Sequence, residues 1–305
     1  MKNKKKIGIA LAVVSVALLF GCSPVSGRKS ISSKTQVEGL DQLGAITAVA
    51  REDGSGTRNV FAELLGFDEK NKETGASDLT RGDAKVADSA SNVVAEVAAD
   101  KSAIGYVSMG ALKEATGIKV LAVNDTPLDV ETVKKGTYPL SRSFYMAYYE
   151  TDKELNQEFL RFVRGKGQEF VAEQYVPIAK AENFLSMGQK GSIHIDGSTS
   201  VAPLMEMIAE EYMLQNPNAE IEITESDSTK GIDSAIKGDA DFAMSSRELK
   251  DYEKELLDYE MIAKEGIAVI VNEENPMETI TTEQLNQIYT GKISSWQEIN
   301  GKIDD

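Results

Sequence analysis

Four segments of this chain each read as a short apolar strand, a Ser/Thr/Gly-rich turn and then a helix. The turns are Asp53-Gly54-Ser55-Gly56-Thr57, Asp196-Gly197-Ser198-Thr199-Ser200, Ser226-Asp227-Ser228-Thr229-Lys230-Gly231 and Met244-Ser245-Ser246-Arg247. Any one of them is explained as a helix N-cap. Four together predict more. Each places hydroxyls and unpaired backbone N–H groups at a helix N-terminus, where the helix dipole favours negative charge. The repetition predicts that the turns converge on one anion, held without a metal.

The rest of the chain alternates in the same way. Ile46–Ala50, Ala103–Val107, Lys119–Val123, Ile193–Ile195 and Glu220–Thr224 read as strands. Arg58–Leu65, Ser91–Ala99, Val201–Gln215 and Gly231–Ile236 read as helices, with Val201, Leu204, Ile208 and Tyr212 at helical spacing. Strands separated by helical runs predict parallel sheets of the α/β class. Two long apolar strands, Phe144–Tyr149 and Gly266–Asn272, stand where the chain would pass between two lobes. Ala179–Gly191 has no strong period and reads as a connector.

The first residues, Met1-Lys2-Asn3-Lys4-Lys5-Lys6, are basic, and Ile7–Phe20 is apolar but short of the roughly 20 residues of a comfortable membrane span. Residues 1–21 are therefore read as a signal peptide. Leu19-Phe20-Gly21-Cys22 resembles a bacterial lipobox, which makes Cys22, the only cysteine, the expected lipidation site. Residues 22–40 are polar and small at their start and read as a tether. The formal net charge is −16; residues 1–21 hold four lysines and no acid, so cleavage there leaves −20. Such a chain is no partner for nucleic acid, whose phosphates need clustered Lys and Arg. A small anion responds to local dipoles and one or two arginines instead, because distant carboxylates are screened within about 8–10 Å.

The segments Asp196–Leu204, Met244–Leu249, Gly266–Asn272, Tyr289–Trp296, Arg51–Arg58, Ala103–Ser108 and Tyr138–Arg142 together resemble the phosphate-binding lipoproteins of ABC phosphate importers, over nearly the whole chain after about Asp41. The resemblance implies a two-lobed, type II periplasmic-binding-protein fold with two crossing strands as its hinge. It also implies an extracytoplasmic protein, lipid-anchored in the cell membrane of a Gram-positive bacterium, that captures phosphate and passes it to a permease and ATPase complex. No cofactor is implied. The order of segments is unusual. In the usual arrangement the Gly-Ser-Thr-Ser block opens the protein and the Arg-Glu-Asp-Gly-Ser-Gly-Thr block follows; here the second comes first. The chain reads as circularly permuted, with Ala179–Gly191 joining the usual ends, which in a domain often lie close together. One lobe is then expected to hold residues 41–137 and 273–305, and the other 138–272.

By the same resemblance the ligand would meet Arg51, Asp53, Ser55, Gly56 and Thr57 from one lobe, and Thr199, Ser200, Ser228 and Ser246 from the other. Arginine supplies a charged, forked donor. Asp53 would accept the proton of phosphate and reject sulfate, which has none to give. Asp227, Lys230 and Arg247 depart from the pattern or leave it open. Asp227 must turn away or be paired; Lys230 is read as facing solvent rather than ligand; Arg247 either contacts the ligand or braces its loop. Alternatives remain: another oxyanion, a surface phosphate sensor or adhesin, or, less favoured, a phosphatase. The last finds no support in motifs. His194 sits in an apolar strand, and neither a nucleophile elbow nor a phosphate-binding Gly-x-x-x-x-Gly-Lys loop is present.

Overall fold

The computed structural model describes residues 36–68, 78–149 and 153–301. The expected signal peptide, Cys22 and most of the tether lie outside the described residues. The elements run β1 (Thr47–Arg51), α1 (Gly56–Leu65), β2 (Lys85–Ala87), α2 (Ala90–Ala99), β3 (Ala103–Ser108), β4 (Ile118–Val123), α3 (Val130–Lys134) and β5 (Ser141–Tyr148). Then come α4 (Glu154–Arg164), α5 (Gly167–Gln174), β6 (Gly191–Ser198), α6 (Ala202–Gln215), β7 (Ala219–Ser226), α7 (Ser228–Lys237) and β8 (Phe242–Ser245). The last are α8 (Asp251–Leu256), β9 (Asp258–Asn272), β10 (Thr279–Ile280), α9 (Thr282–Tyr289) and α10 (Trp296–Gly301).

The strands lie in the order β2-β1-β3-β9-β5-β8-β6-β7, with β4 also beside β9 and β10 beside β4. Each half has a parallel triplet, β2-β1-β3 and β8-β6-β7, as the strand–helix alternation predicts. The two long strands depart from that expectation: β5 and β9 pair antiparallel with each other and with the triplets. They enter each half from the other one, so their direction is set by the crossing and not by a helical return.

Strand β9 is the shared element. Its residues up to Gly266 pair with β5, and from Ile267 onward it pairs with β3 and β4. The packing changes at the same place: Ile262 and Ala263 lie in one apolar cluster, Ile267, Val269 and Val271 in another. The second passage lies just ahead of the predicted strand, between Leu140, in the first cluster, and Phe144, in the second.

The first core is built on aromatic contacts, with Phe61 stacked 3.9 Å from Tyr106 and edge-on to Tyr289. The second is built around Phe159, Tyr212 and Phe242 from α4, α6 and β8. On β7 the isoleucines Ile221 and Ile223 face inward while Glu220 and Glu222 face solvent. Charges on such an edge strand discourage pairing with another chain. The connector is without regular structure over 181–190, as expected, but it is pinned. The buried Glu158 carboxylate accepts from Ser186 Oγ at 2.7 Å and from the Met187 N–H at 2.9 Å.

The start of the described chain lies against its end. Ile46 N–H donates to Ser294 O at 2.8 Å, and Trp296 N–H to Gly44 O at 3.0 Å. Trp296 is fully buried, and its Nε1–H donates to Ser102 O at 3.0 Å. Trp296→Ala removes that whole ring from the first core and is expected to destabilise the protein by about 3–5 kcal/mol. Urea unfolding followed by circular dichroism measures it; a loss under about 1 kcal/mol would mean that α10 is not part of the folded unit.

Candidate functional site

Three of the four turns come together as predicted, and the fourth closes against them. Thr57 at the start of α1 meets Ser200 ahead of α6, oxygen to oxygen at 2.7 Å. Ser198 Oγ donates to Ser246 Oγ at 2.9 Å, and Ser246 Oγ lies 3.2 Å from Ser228 Oγ. The Ser246 N–H donates to Ser228 Oγ at 3.1 Å. Thr57, Ser198, Ser200, Ser228 and Ser246 are all buried. Gly56 completes the contact between halves: a Cβ there would stand 2.4 Å from Ser228 Oγ and 2.5 Å from Ser246 Oγ, so only glycine fits.

Arg51 stands at one side of this cluster. It is buried, its Nε and Nη2 fork onto Glu52 at 2.8 and 2.7 Å, and Nη2 also donates to Thr199 Oγ1 at 3.0 Å. The third nitrogen, Nη1, is buried with no partner among the described residues. A buried, unmatched donor on a charged group is costly unless a ligand meets it. The Tyr106 hydroxyl accepts from the Arg51 N–H at 3.2 Å and so ties the loop to the aromatic core.

Two expected site residues have partners outside the cluster in this structure. Ser55 caps α1, its Oγ accepting from Arg58 N–H. Asp53 is not in the cluster at all: its side chain is 79% exposed and pairs with Arg58 Nη1 at 3.1 Å. The expected proton acceptor is therefore turned outward, because Gly54 at φ 91° reverses the chain just after it and Arg58, one turn into α1, draws the carboxylate. In this structure the Asp53 carboxylate faces Arg58 and not the hydroxyl cluster.

The open positions are resolved by pairing. Asp227 caps α7, accepting from Thr229 N–H and Lys230 N–H at 2.9 Å each, and lies against Gly54. Lys230 is 73% exposed and pairs with Asp227 at 3.1 Å. Arg247 braces its loop with a two-pronged bond to Glu253, both at 2.8 Å. His194 is half-buried rather than in the core, its ring nitrogens 2.9 Å from Asp239 O and Thr224 Oγ1. Among the described residues no cluster of His, Cys, Asp and Glu could hold a metal ion.

Sequence reasoning passed over Arg142 and Glu265. They are direct partners across β5 and β9 and form a buried ion pair at 2.5 Å. Burial lowers the Arg142 guanidinium and lifts the Glu265 carboxyl, each opposed by the other's charge. The sequence did hold a signal: one charge of each sign, each at an end of a long apolar strand. A cavity of about 470 Å³ opens beside Thr199, but Glu206, Glu210, Glu225 and Glu114 line it. Burial, with the neighbouring carboxylates, raises Glu206. These carboxylates make the cavity acidic, whereas the hydroxyl cluster is built from neutral groups.

A family profile described as the PBP superfamily domain matches residues 10–166 and 186–304. The phosphate-binding protein PstS 2 of Streptococcus agalactiae serotype V is 38% identical over 307 residues, covering 98% of this chain and all of that one. Its namesake in Streptococcus pneumoniae serotype 4 is 34% identical over 302 residues, with the same shares. A crystal structure of a phosphate-binding protein of a phosphate ABC transporter from S. pneumoniae TIGR4 superposes with a TM-score of 0.67 at 34% identity, over 84% of this chain and all of that one. The chain belongs to the PstS family. The two-lobed fold and the mixed α/β architecture follow from that membership. PstS of Staphylococcus aureus USA300 matches over only 124 residues, 38% of each chain, at 36% identity.

In this PstS-family chain the loop carrying Arg51 is held from behind by an ion pair. Arg58 Nε donates to Asp78 at 2.7 Å. Burial raises the Asp78 carboxyl, but the hydrogen bonds from Arg58 and Thr80 and the Arg58 charge outweigh it and leave it below the usual value of 3.8. Glu253 under Arg247 is likewise lowered from 4.5, its hydrogen bonds and nearby charges outweighing burial. A carboxyl lowered in the folded state contributes fully above its unfolded pKa and loses that contribution as pH falls through the folded one. Stability should hold above about pH 4.5 and fall below about pH 4. Urea midpoints between pH 2 and 6 check this, and Arg58→Gln should flatten the acid slope.

Proposed function

We propose that this chain is the phosphate-binding component of an ABC importer: it captures inorganic phosphate between its halves and delivers it to a permease and ATPase complex. The observation that carries the reading is the buried hydroxyl cluster drawn from both halves, with the unpartnered Arg51 Nη1 beside it. Arg51, Gly56, Thr57, Thr199, Ser200, Ser228 and Ser246 are proposed to surround the anion, with Ser55 and Asp53 shaping the loop. Hydroxyls suit phosphate in both protonation states, since each can donate or accept. The relatives are named for binding phosphate, not for a reaction.

Three finer parts belong to the same proposal. Lipid on Cys22 would hold the protein on the extracytoplasmic face of the membrane; no described helix is long and apolar enough to cross one. The lobes are proposed as residues 41–137 with 273–305, and 138–272, the packing of Ile267–Val271 with the first core moving the second boundary back to about Gly266. The permuted order is supported by the contact of residues 44–46 with 294–296, by the irregular connector, and by the short match to the staphylococcal relative.

Calorimetric titration with inorganic phosphate tests the reading, and absence of binding overturns it. Arg51→Ala should weaken binding by about tenfold or more, because hydrogen bonds to charged groups contribute roughly 1.5–3 kcal/mol. Asp53→Asn should change it by less than about fivefold, the range of an exposed ion pair. A large loss in Asp53→Asn would restore the carboxylate to the site. Cys22→Ala should move the protein from the membrane fraction to the medium or leave it unprocessed; normal lipid labelling of that variant would remove the anchor.

A further inference from the structure

Arg142 and Glu265 stand where the chain passes between the halves, and phosphate capture as proposed above does not use them. Their side chains are 2% and 0% exposed. Arg142 spends Nε and Nη2 on Glu265 Oε1, at 2.7 and 2.5 Å. Nη1 points the other way. It donates to Thr57 Oγ1 at 2.7 Å in one half and to Ser246 O at 3.3 Å in the other. The remaining oxygen, Glu265 Oε2, accepts from Ser108 Oγ at 2.5 Å, and Ser108 Oγ also lies 3.3 Å from Ser200 O.

The direction of these bonds matters. A guanidinium only donates, so Thr57 Oγ1 must be the acceptor from Arg142. The Thr57 proton is then directed away from Arg142, toward Ser200 Oγ at 2.7 Å and the cluster beyond it. A buried ion pair gives little net stability against an apolar replacement, so stability alone explains this one poorly. We propose that Arg142 is a positioning residue for the oxyanion: it fixes Thr57 as a hydrogen-bond donor and joins the α1 loop of one half to the β8 loop of the other, so setting how long the closed cleft retains its anion. This rests on the reading of the site as a phosphate site. Glu265 holds the fork in place and offsets its charge.

The test is stopped-flow binding of inorganic phosphate to the whole protein, with wild type, Arg142→Lys, Thr57→Val, the double variant and Glu265→Gln. Lysine keeps the charge but lacks the fork that reaches Glu265 and Thr57 together. Arg142→Lys should raise the dissociation rate by about tenfold or more and leave association within about threefold. The double variant should release phosphate no more than about twice as fast as the worse single one, because the two residues act through one bond. Glu265→Gln should slow release by about twofold or more, since the guanidinium charge is no longer offset. A pair that served only as a pillar would give multiplicative effects in the double variant and faster release in Glu265→Gln; either result overturns the proposal, as does unchanged release in Arg142→Lys. If Arg142→Lys does not fold, the opposite sign expected for Glu265→Gln still decides. Wild type that binds no phosphate fails the functional reading and this inference with it, whereas wild-type binding with the pillar pattern fails this inference alone.

Discussion

One strand ties the two halves into a single sheet. The ladder of β9 changes partner at Gly266, from β5 on one side to β3 and β4 on the other. The sheet continues through both halves at that point, while each half keeps its own apolar cluster. Gly266 lies close under Leu128 and the Tyr138 ring: a Cβ there would stand 2.3 Å from Leu128 Cδ1, so a larger residue requires that side chain to shift. The neighbouring Glu265 and its partner Arg142 place opposite charges at the pivot, in contact with loops from both sides.

The chemistry assembled there is economical in charge. The protein is strongly acidic, yet the carboxylates of the site loops are each committed. Glu52 is held by Arg51, Asp53 by Arg58, Asp227 by its own helix N-terminus and Lys230, and Glu253 by Arg247. What remains uncommitted to a carboxylate is the group of neutral hydroxyls and two buried guanidinium nitrogens without a partner among the described residues, Arg51 Nη1 and Arg247 Nε. Preorganised neutral donors in a dry site hold an anion without first having to lose a strong bond to a carboxylate. The cavity beside Thr199 differs, since the carboxylates of Glu114, Glu206, Glu210 and Glu225 line it.

Stability and site geometry are coupled through a few side chains that reach far along the chain. The Tyr106 hydroxyl carries the Arg51 backbone on the aromatic core, and Glu158 fastens the connector that leads from α5 into β6. Both are buried polar groups with their bonds made. Losing one partner would leave the other unsatisfied, which costs more than the bond itself contributes.

The sequence by itself determined the alternation of strands and helices, the four anion-friendly turns and most of the residues that meet between the halves. These are local properties: helical or twofold spacing of apolar side chains and hydroxyls at N-caps are written in adjacent residues. Arg51, Gly56, Thr57, Thr199, Ser200, Ser228 and Ser246 were named by the family resemblance and not by spacing; of these, the structure joins Thr57 to Ser200 and Ser228 to Ser246 by hydrogen bonds. Tertiary structure alone decided the rest. The outward turn of Asp53 depends on Arg58 and Asp78, and the antiparallel run of β5 and β9 depends on each half entering from the other. Arg142 and Glu265 lie more than a hundred residues apart and act only as cross-strand neighbours. Pairings of that kind are set by register and burial, which spacing along a chain does not encode.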